Sequence, residues 1–398
     1  MAASRGYLSA FMLPIIAGLL FLFLAITASQ QTLQQRWHLQ SAADGMVHSA
    51  ATIMAREFNV LAVLNRAIIA NQVAQAQLLG LSSWYRNIAT ASERLAQVTS
   101  WIPYVNAVTA QISQVIETVD QPLQGFIEIG LIAQEALISA IQVVQLMVRF
   151  SFAQIVPEAL AELARLQGVE SHSWSLVHSP GLIEFPWLWW TFIPPQSAAR
   201  DDQRLAQLVR RSRDPFSTAR SYNWFRAGLV KAAKTGGTEL VLDEHGYWSW
   251  QALDTVALHI DLLFSQQEIP WGNGAAYRGD SIAQPQTAQF GASQRTNPRA
   301  TRWALTDQTD FGSINSPNYF DRTNLQASEW PSVIVIFDDV IAKAGVVYSR
   351  PLSVFPRRDD KPEQANLFNA LWQPALQSLS TVEKMLISQF HKTDNADD

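Results

Sequence analysis

The sequence predicts an α+β protein: an N-terminal transmembrane helix continuing into a long helical stalk or helical bundle, followed by a β-rich C-terminal head with long loops. Three observations carry this. Residues Tyr7–Ala28 form a nearly uninterrupted apolar run. Apolar residues then recur at i, i+3 and i+4 to about Ser100, and a second helical tract runs from about Val105 to Val156. From Thr238 the period shifts to two, that of a strand with alternating faces.

Residues 1–30 read as the anchor. Tyr7–Ala28 carries no charge, and Pro14 is its one strong helix irregularity. At a rise of about 1.5 Å per residue, some twenty such residues cross a hydrocarbon core of about 30 Å. A cleavable signal peptide has an apolar core of roughly 7–15 residues. Arg5 and the small residues Ala25, Thr27, Ala28 and Ser29 suit cleavage, but the length favours a retained single-pass helix. Arg5 precedes the span and a Gln-rich stretch follows it before Arg36, a bias that places the N-terminus in the cytoplasm and the bulk outside.

Composition narrows the function classes. With no Cys, no disulfide framework, thiolate nucleophile or Cys-based metal site exists. The 34 acidic and 29 basic residues leave a net charge of −5, which argues against nucleic acid as a partner. A 48% apolar content with 14 Trp requires extensive burial, against the rest of the chain or against other subunits.

Residues 31–170 form the helical extracytoplasmic region. The stripe Ala42, Ala43, Met46, Val47, Ala50, Ile53, Met54, Phe58 and Leu61 is backed by a polar face of Asp44, His48, Arg56 and Glu57, and Trp101-Ile102-Pro103 interrupts the pattern. The second tract is apolar over much of its surface, so a second transmembrane helix is one reading. Glu128 and Glu135, with Gln134, Gln142 and Gln145, are expensive at mid-bilayer and favour a helix packed on the first tract.

Residues 171–235 read as an aromatic loop and a basic helix. Trp174, Trp187, Trp189 and Trp190 lie among prolines, and suit either a loop packed over the helices or a membrane-interface or partner-binding patch. Residues 200–234 hold nine Lys/Arg against three Asp, either a solvated helix face or a surface for anionic lipid or an acidic partner. Residues 236–392 form the β-rich domain. Thr238–Leu242 and Tyr247–Trp250 flank the hairpin connection Asp243-Glu244-His245-Gly246, and Thr255–Ile260, Val333–Phe337 and Ala344–Tyr348 are further strands. The Gly-, Pro-, Asn- and Ser-rich stretch 268–331 reads as long loops, and residues 393–398 as a disordered tail.

Catalytic signatures are missing: no G-x-S-x-G, H-E-x-x-H, P-loop or G-x-G-x-x-G occurs. His172 and His178 are the only neighbouring histidines and lack a carboxylate at ligand spacing. Asp338 and Asp339 point to opposite faces if they lie on a strand, and Asp359-Asp360 beside Arg357-Arg358 reads as a charged loop. The expectation is a non-enzymatic protein with no cofactor, no metal and no evident small-molecule substrate.

The N-terminal region resembles TadG-like Flp (Tad) pilus-assembly proteins. The resemblance rests on Arg5-Gly6, the run Phe11–Leu20 with Pro14, and the step Leu39-Gln40-Ser41-Ala42-Ala43-Asp44. The run Leu64–Gln72, with Asn65, Arg66, Asn71 and Gln72, is similar to a subfamily without a von Willebrand A domain; no D-x-S-x-S triplet occurs here. Arg211–Ser217, Val347–Pro351 (with Arg350 and Pro351) and Asn366–Gln373 (with Trp372) resemble the same subfamily. Processed pilins of this secretion class carry Glu five residues after the processed Gly, where counting from Gly6 reaches Phe11. The resemblance implies a single-pass protein of the bacterial inner membrane with a periplasmic or extracellular bulk. Its partners would be the inner membrane and other pilus-assembly or pilin-like subunits, in pilus biogenesis or as a minor pilin-like component. The alternative is an envelope binding module that engages lipid, glycan or an exported partner through the Trp-rich region.

Overall fold

The computed structural model describes residues 6–98, 103–179, 182–184, 193, 195–197, 203–242, 248–262, 265–278, 290–321, 331–337 and 340–394, except 352, 358, 360 and 362. Two long helices come first, α1 (Gly6–Val98) and α2 (Pro103–Leu166). Next are β1 (Trp174–Ser179), β2 (Ile183–Glu184), β3 (Pro195–Ser197), α3 (Arg204–Ser212), α4 (Pro215–Thr218), β4 (Tyr222–Ala227), β5 (Val230–Leu242), β6 (Trp248–Leu262) and β7 (Ser265–Arg278). The remainder is α5 (Gly291–Thr296), α6 (Pro298–Thr306), β8 (Gln308–Ser313), β9 (Asn318–Phe320), β10 (Ser332–Phe337), β11 (Val340–Tyr348), β12 (Trp372–Leu376) and α7 (Thr381–Asp394). The fold is α+β, with a long apolar N-terminal helix and a β-rich C-terminal region.

The chain divides into two units that interleave along the sequence: Met1–Val60, Val148–Pro194 and Arg322–Asp398 form one, and Leu61–Met147 and Pro195–Asp321 the other. Both long helices contribute to both units.

In the first unit an antiparallel sheet has the order β12-β11-β10-β1-β2. The apolar run Val333–Phe337 is its central strand, and a run without alternation needs cover on both faces. On one face Val177, Leu182 and Ile334 pack with Ile387 of α7, joined by Ile336, Ile341 and Leu386. The opposite pleat buries Val333, Val335 and Phe337 and carries Trp372, which meets Phe58 of α1 edge-on at 5.0 Å. The predicted helical stripe is buried, from Ala42 and Ala43 through Met46, Val47, Ala50 and Met54 to Phe58. Glu57 corrects its expected polar face: it is fully buried because Arg149 of α2, also fully buried, binds it at 2.6 Å.

The second unit holds a sheet of order β4-β5-β6-β7-β8, with β3 paired to β9 separately. Its neighbours are antiparallel except β7 and β8, which are parallel and joined by a crossover that contains α5 and α6. On one pleat α1 packs through Gln72, Ser83 and Asn87, and on the other α5 and α6 pack through Ser293 and Asn297. Helix α2 lies on α1 through Gln75–Glu135, Ser82–Gln124 and Asn65–Gln145 contacts. Gly130 makes this approach close, because a Cβ there would stand 3.0 Å from Leu78 Cδ1.

Several local expectations are corrected. The stretch 268–331, expected as loops, contains β7, α5, α6, β8 and β9. Its glycines were read as loop residues, but Gly272 and Gly274 are strand positions under α6, where a Cβ would stand 2.6 Å from the Ala300 carbonyl and 2.5 Å from the Ala304 carbonyl. The basic helix is limited to the nine residues of α3; Arg226, Lys231 and Lys234 lie on strands, and β5 starts at Val230, not Thr238. Part of the aromatic stretch is the strand β1. The hairpin connection Asp243–Gly246 lies outside the described residues, while its flanking strands pair from Val230↔Ile260 to Leu242↔Trp248. The expected disordered tail is helical to Asp394, and 395–398 lie outside the described residues.

Two glycine substitutions should separate steric from intrinsic effects. Gly274→Ala should destabilise the full chain by about 2–4 kcal/mol, because the rigid α6 backbone must retreat. Gly125→Ala, in α2 with nothing within 4 Å of the new Cβ, should be neutral or stabilising by up to about 1 kcal/mol. Urea unfolding in detergent checks both; equal effects would refute the packing assignment.

Candidate functional site

The first candidate is the start of α1. From Met12 to Ile26 every large apolar side chain is exposed, including Leu13, Leu19, Phe21 and Phe23. Just beyond it Thr27 donates to the Leu24 carbonyl at 2.9 Å and Thr32 to the Ser29 carbonyl at 2.9 Å, so both hydroxyls bond within the helix. Trp37, 77% exposed beside Arg36 and His38, closes the stretch with the residue types that favour a membrane–water boundary. Among the described residues two helices are apolar and long enough to cross a membrane by length and composition, α1 near its start and α2.

Of the positions singled out by the resemblance, Ala42 and Ala43 are buried in the apolar stripe of α1, and the polar ones differ in their surroundings. Asp44 of α1 accepts from Gln40 Nε2 at 2.9 Å, and the same nitrogen lies 3.4 Å from the Ile341 carbonyl of β11. Asn65 is fully buried; it donates to the Phe320 carbonyl at 2.6 Å and accepts from Gln145 Nε2 at 2.7 Å. Gln72 is buried and accepts from Trp250 Nε1 at 3.0 Å. Asn71 donates to the Ala67 carbonyl within its own helix, and Arg66 is exposed.

Arg350 and Trp372 are brought together around Glu363. This carboxylate accepts from Arg350 Nε, from Tyr348 Oη at 2.9 Å and from Asn369 Nδ2 at 2.7 Å. Burial alone would raise Glu363, but the Arg350 and Tyr348 hydrogen bonds outweigh it and hold the carboxyl below its ordinary value. Asn366 ties the second motif to the first: its amide donates to Tyr348 Oη at 3.0 Å, and its carbonyl accepts from Trp372 Nε1 at 3.1 Å. Pro351 contributes its carbonyl to a turn, accepting from Val354 and Phe355. Asn59 of α1 then pairs with both backbone groups of Trp372, each at 3.0 Å, as a neighbouring strand would.

A buried charge cluster that sequence reasoning missed sits on the α1 side of the second unit's sheet. Asp254 of β6 is fully buried and binds Arg220 Nη2 at 2.7 Å, Lys234 Nζ, and Ser83 Oγ of α1. Arg220 uses every N–H it has, on Asp254, the Phe216 carbonyl, the Gly237 carbonyl and Thr238 Oγ1. The Arg211–Ser217 stretch builds its shelf. Asp214 caps α4 on the Phe216 N–H at 3.0 Å with Pro215 at the first helical position, and the guanidinium lies 4.9 Å over the Phe216 ring. Lys234 also donates to the Arg220 carbonyl at 3.2 Å. Burial pushes its ammonium below the ordinary value against the pull of Asp254, and Arg220 adds to the push. The signal in the sequence was Gly236-Gly237 inside a strand: a Cβ at Gly236 would stand 2.1 Å from Asp254 Oδ1.

Two further clusters are equally closed. Behind the sheet, the hydroxyls of Thr235, Thr255, Ser293 and Thr301 chain at 2.9 Å intervals, and Asn297 bonds His259 Nε2 at 2.9 Å. In the first unit Glu383 of α7 accepts from Ser179 Oγ and from Lys343 Nζ at 2.7 Å. Burial would raise this carboxyl, but the Lys343, Ser179 and Ser380 hydrogen bonds bring it to about 2, far too weak a base to take the serine proton. Burial lowers the neighbouring His178 to about 4, so it is neutral at physiological pH.

Of the predicted aromatic contact residues, Trp174 is half-buried in β1, paired opposite Phe337; Trp187, Trp189 and Trp190 lie outside the described residues. The Asp338-Asp339 pair also lies outside them, and Arg357 pairs with Asp359 at 2.6 Å on the surface. Among the described residues no three His, Asp or Glu side chains converge as metal ligands. Compared with known protein families, curated proteins and solved structures, the chain matches none.

Asp254→Asn should destabilise the full chain by about 3–5 kcal/mol, because two buried cations lose their counter-charge. Lys234→Met should cost under about 1.5 kcal/mol, since Asp254 keeps Arg220. Urea unfolding checks the contrast, and equal losses would refute it. Glu383 is depressed in the folded state, so its stabilisation is present above its unfolded value and lost as pH falls toward 2. At neutral pH this is roughly 3 kcal/mol. Unfolding between pH 5 and 2 should therefore lose a component that Glu383→Gln already lacks.

Proposed function

We propose that this chain is a membrane-anchored, non-enzymatic protein of the bacterial cell envelope, acting as a Flp/Tad-type pilus-assembly or minor pilin-like component. One observation carries the reading: on a single unbroken helix, an exposed apolar segment is followed by a stripe buried in folded structure. The first part suits lipid and the second packs within the first unit, so one helix links a bilayer to folded structure.

Several features support it. In the exposed segment Gly18 has nothing within 4 Å and Ala17 precedes it, so another apolar helix could approach closely there. Buried charged groups hold elements together within each unit: Asp254 joins α1 to β5 and β6 in the second, and Glu383 joins α7 to β1 and β11 in the first. Of the motif positions that resemble the pilus-assembly family, Arg350 and Trp372 share one hydrogen-bond network in the first unit, and Asn65 and Gln72 are buried in the second.

Two experiments test the parts separately. In fractionated cells the intact chain should stay with membranes through alkaline carbonate and be released by detergent; recovery in the soluble pool would remove the anchor. A clean deletion in a pilus-bearing host should reduce surface pili or their function, with recovery on complementation. Unchanged pili would remove the pilus role and leave the anchor standing.

A further inference from the structure

Helix α2 has two faces. Towards α1 it buries Ile127, Leu131, Ile138 and Gln145. On the opposite side, between Phe126 and Met147, apolar side chains stand in the open; Phe126 is 65% exposed, Ile129 68% and Met147 62%. A patch of this length on a folded unit marks an interaction surface.

The spacing of this face describes its occupant. Phe126, Ile129, Ala133, Ala136, Ala140, Val143 and Met147 follow each other at intervals of three and four, the heptad seam of a helix that packs on another helix. The pattern is also a palindrome in size. In order along the seam Phe126 corresponds to Met147, Ile129 to Val143 and Ala133 to Ala140, pairs whose midpoints fall at Ala136 or half a residue beyond it. A stripe that reads the same in both directions is complementary to itself when inverted, the requirement of a two-fold interface. Small residues at the middle let the backbones close, and large ones at the ends fill the widening gap.

Charge argues for protein rather than lipid. Residues 103–148 contain Glu117, Asp120, Glu128 and Glu135 and no Lys or Arg, whereas helices lying on anionic membranes carry basic polar faces. Glu135 is also engaged within the unit, accepting from Gln75 and from the Asn315 N–H. The size is sufficient. The strip is about 33 Å long at 1.5 Å per residue. Its exposed apolar side chains offer on the order of 900 Å² per chain, and covering two thirds of that on two chains removes about 1,200 Å², within the range of specific interfaces.

We infer that two copies of this chain pair antiparallel through the outer face of α2, with Ala136 at the two-fold axis. The absence of native Cys makes the test direct. In membranes from expressing cells, oxidation of the full-length Ala136→Cys chain should give a disulfide-linked dimer, because the two sulfurs meet at the axis. Ala133→Cys alone should give none, since its copies would be offset by about 10 Å, beyond disulfide reach. Co-expressed Ala133→Cys and Ala140→Cys chains should cross-link to each other. Adding Ala140→Glu to Ala136→Cys should cut the dimer at least tenfold while leaving the urea midpoint of the reduced, dilute single chain unchanged, as the position is exposed there. No Ala136→Cys dimer, or an Ala133→Cys dimer of equal yield, would overturn the proposal; the second result would mean parallel pairing.

Discussion

Asp254 is one carboxylate shared by two buried cations, and the second unit is organised by that imbalance. A charge in a low-dielectric interior must be paired and hydrogen-bonded, so each partner has to be delivered to one point with little freedom. Arg220 comes from the segment after α4, Lys234 from β5, Asp254 from β6 and Ser83 from α1. The requirement spreads to residues without charge. Gly80, Gly236 and Gly237 are small because a Cβ would strike Arg220, Asp254 or the Thr218 carbonyl. Asp214 must cap α4 because the Phe216 carbonyl and ring receive the guanidinium.

The first unit repeats the solution with different partners. Glu57 and Arg149 form a sealed pair between α1 and α2, while Glu383 collects Lys343 and Ser179 to fix α7 on the sheet. Replacing a buried pair with apolar residues is often neutral, so such pairs do more for register than for stability. Register is the feature two long helices lack, since an Ala-rich stripe packs almost equally well after sliding one turn. The side-chain amides of Asn59, Asn65 and Gln72 add to that: each binds a particular backbone group or indole and marks one axial position on α1.

Legibility in the sequence followed the range of the interactions. The stripe Ala42–Leu61 was readable because helical burial repeats within a few residues, and Val333–Phe337 because a continuous apolar run has few other uses. The strand β7 was misread because Gly272, Asn273 and Gly274 look like loop residues; α6 explains them, and α6 arrives from some thirty residues further along. Lys234 and Arg220 looked like part of a basic surface for the same reason, as their counter-charge at Asp254 is distant in sequence.

By itself the sequence determined the apolar run at the start of α1, the two long helices and the change of period to strands, because each is a local pattern of apolar residues. Only the tertiary structure decided which charges are buried, how three stretches of chain assemble one unit and two stretches the other, and which face of α2 stays open. The apolar residues of that face and those packed on α1 have the same periodicity. What separates them is whether another element lies against them, and no local pattern contains that information.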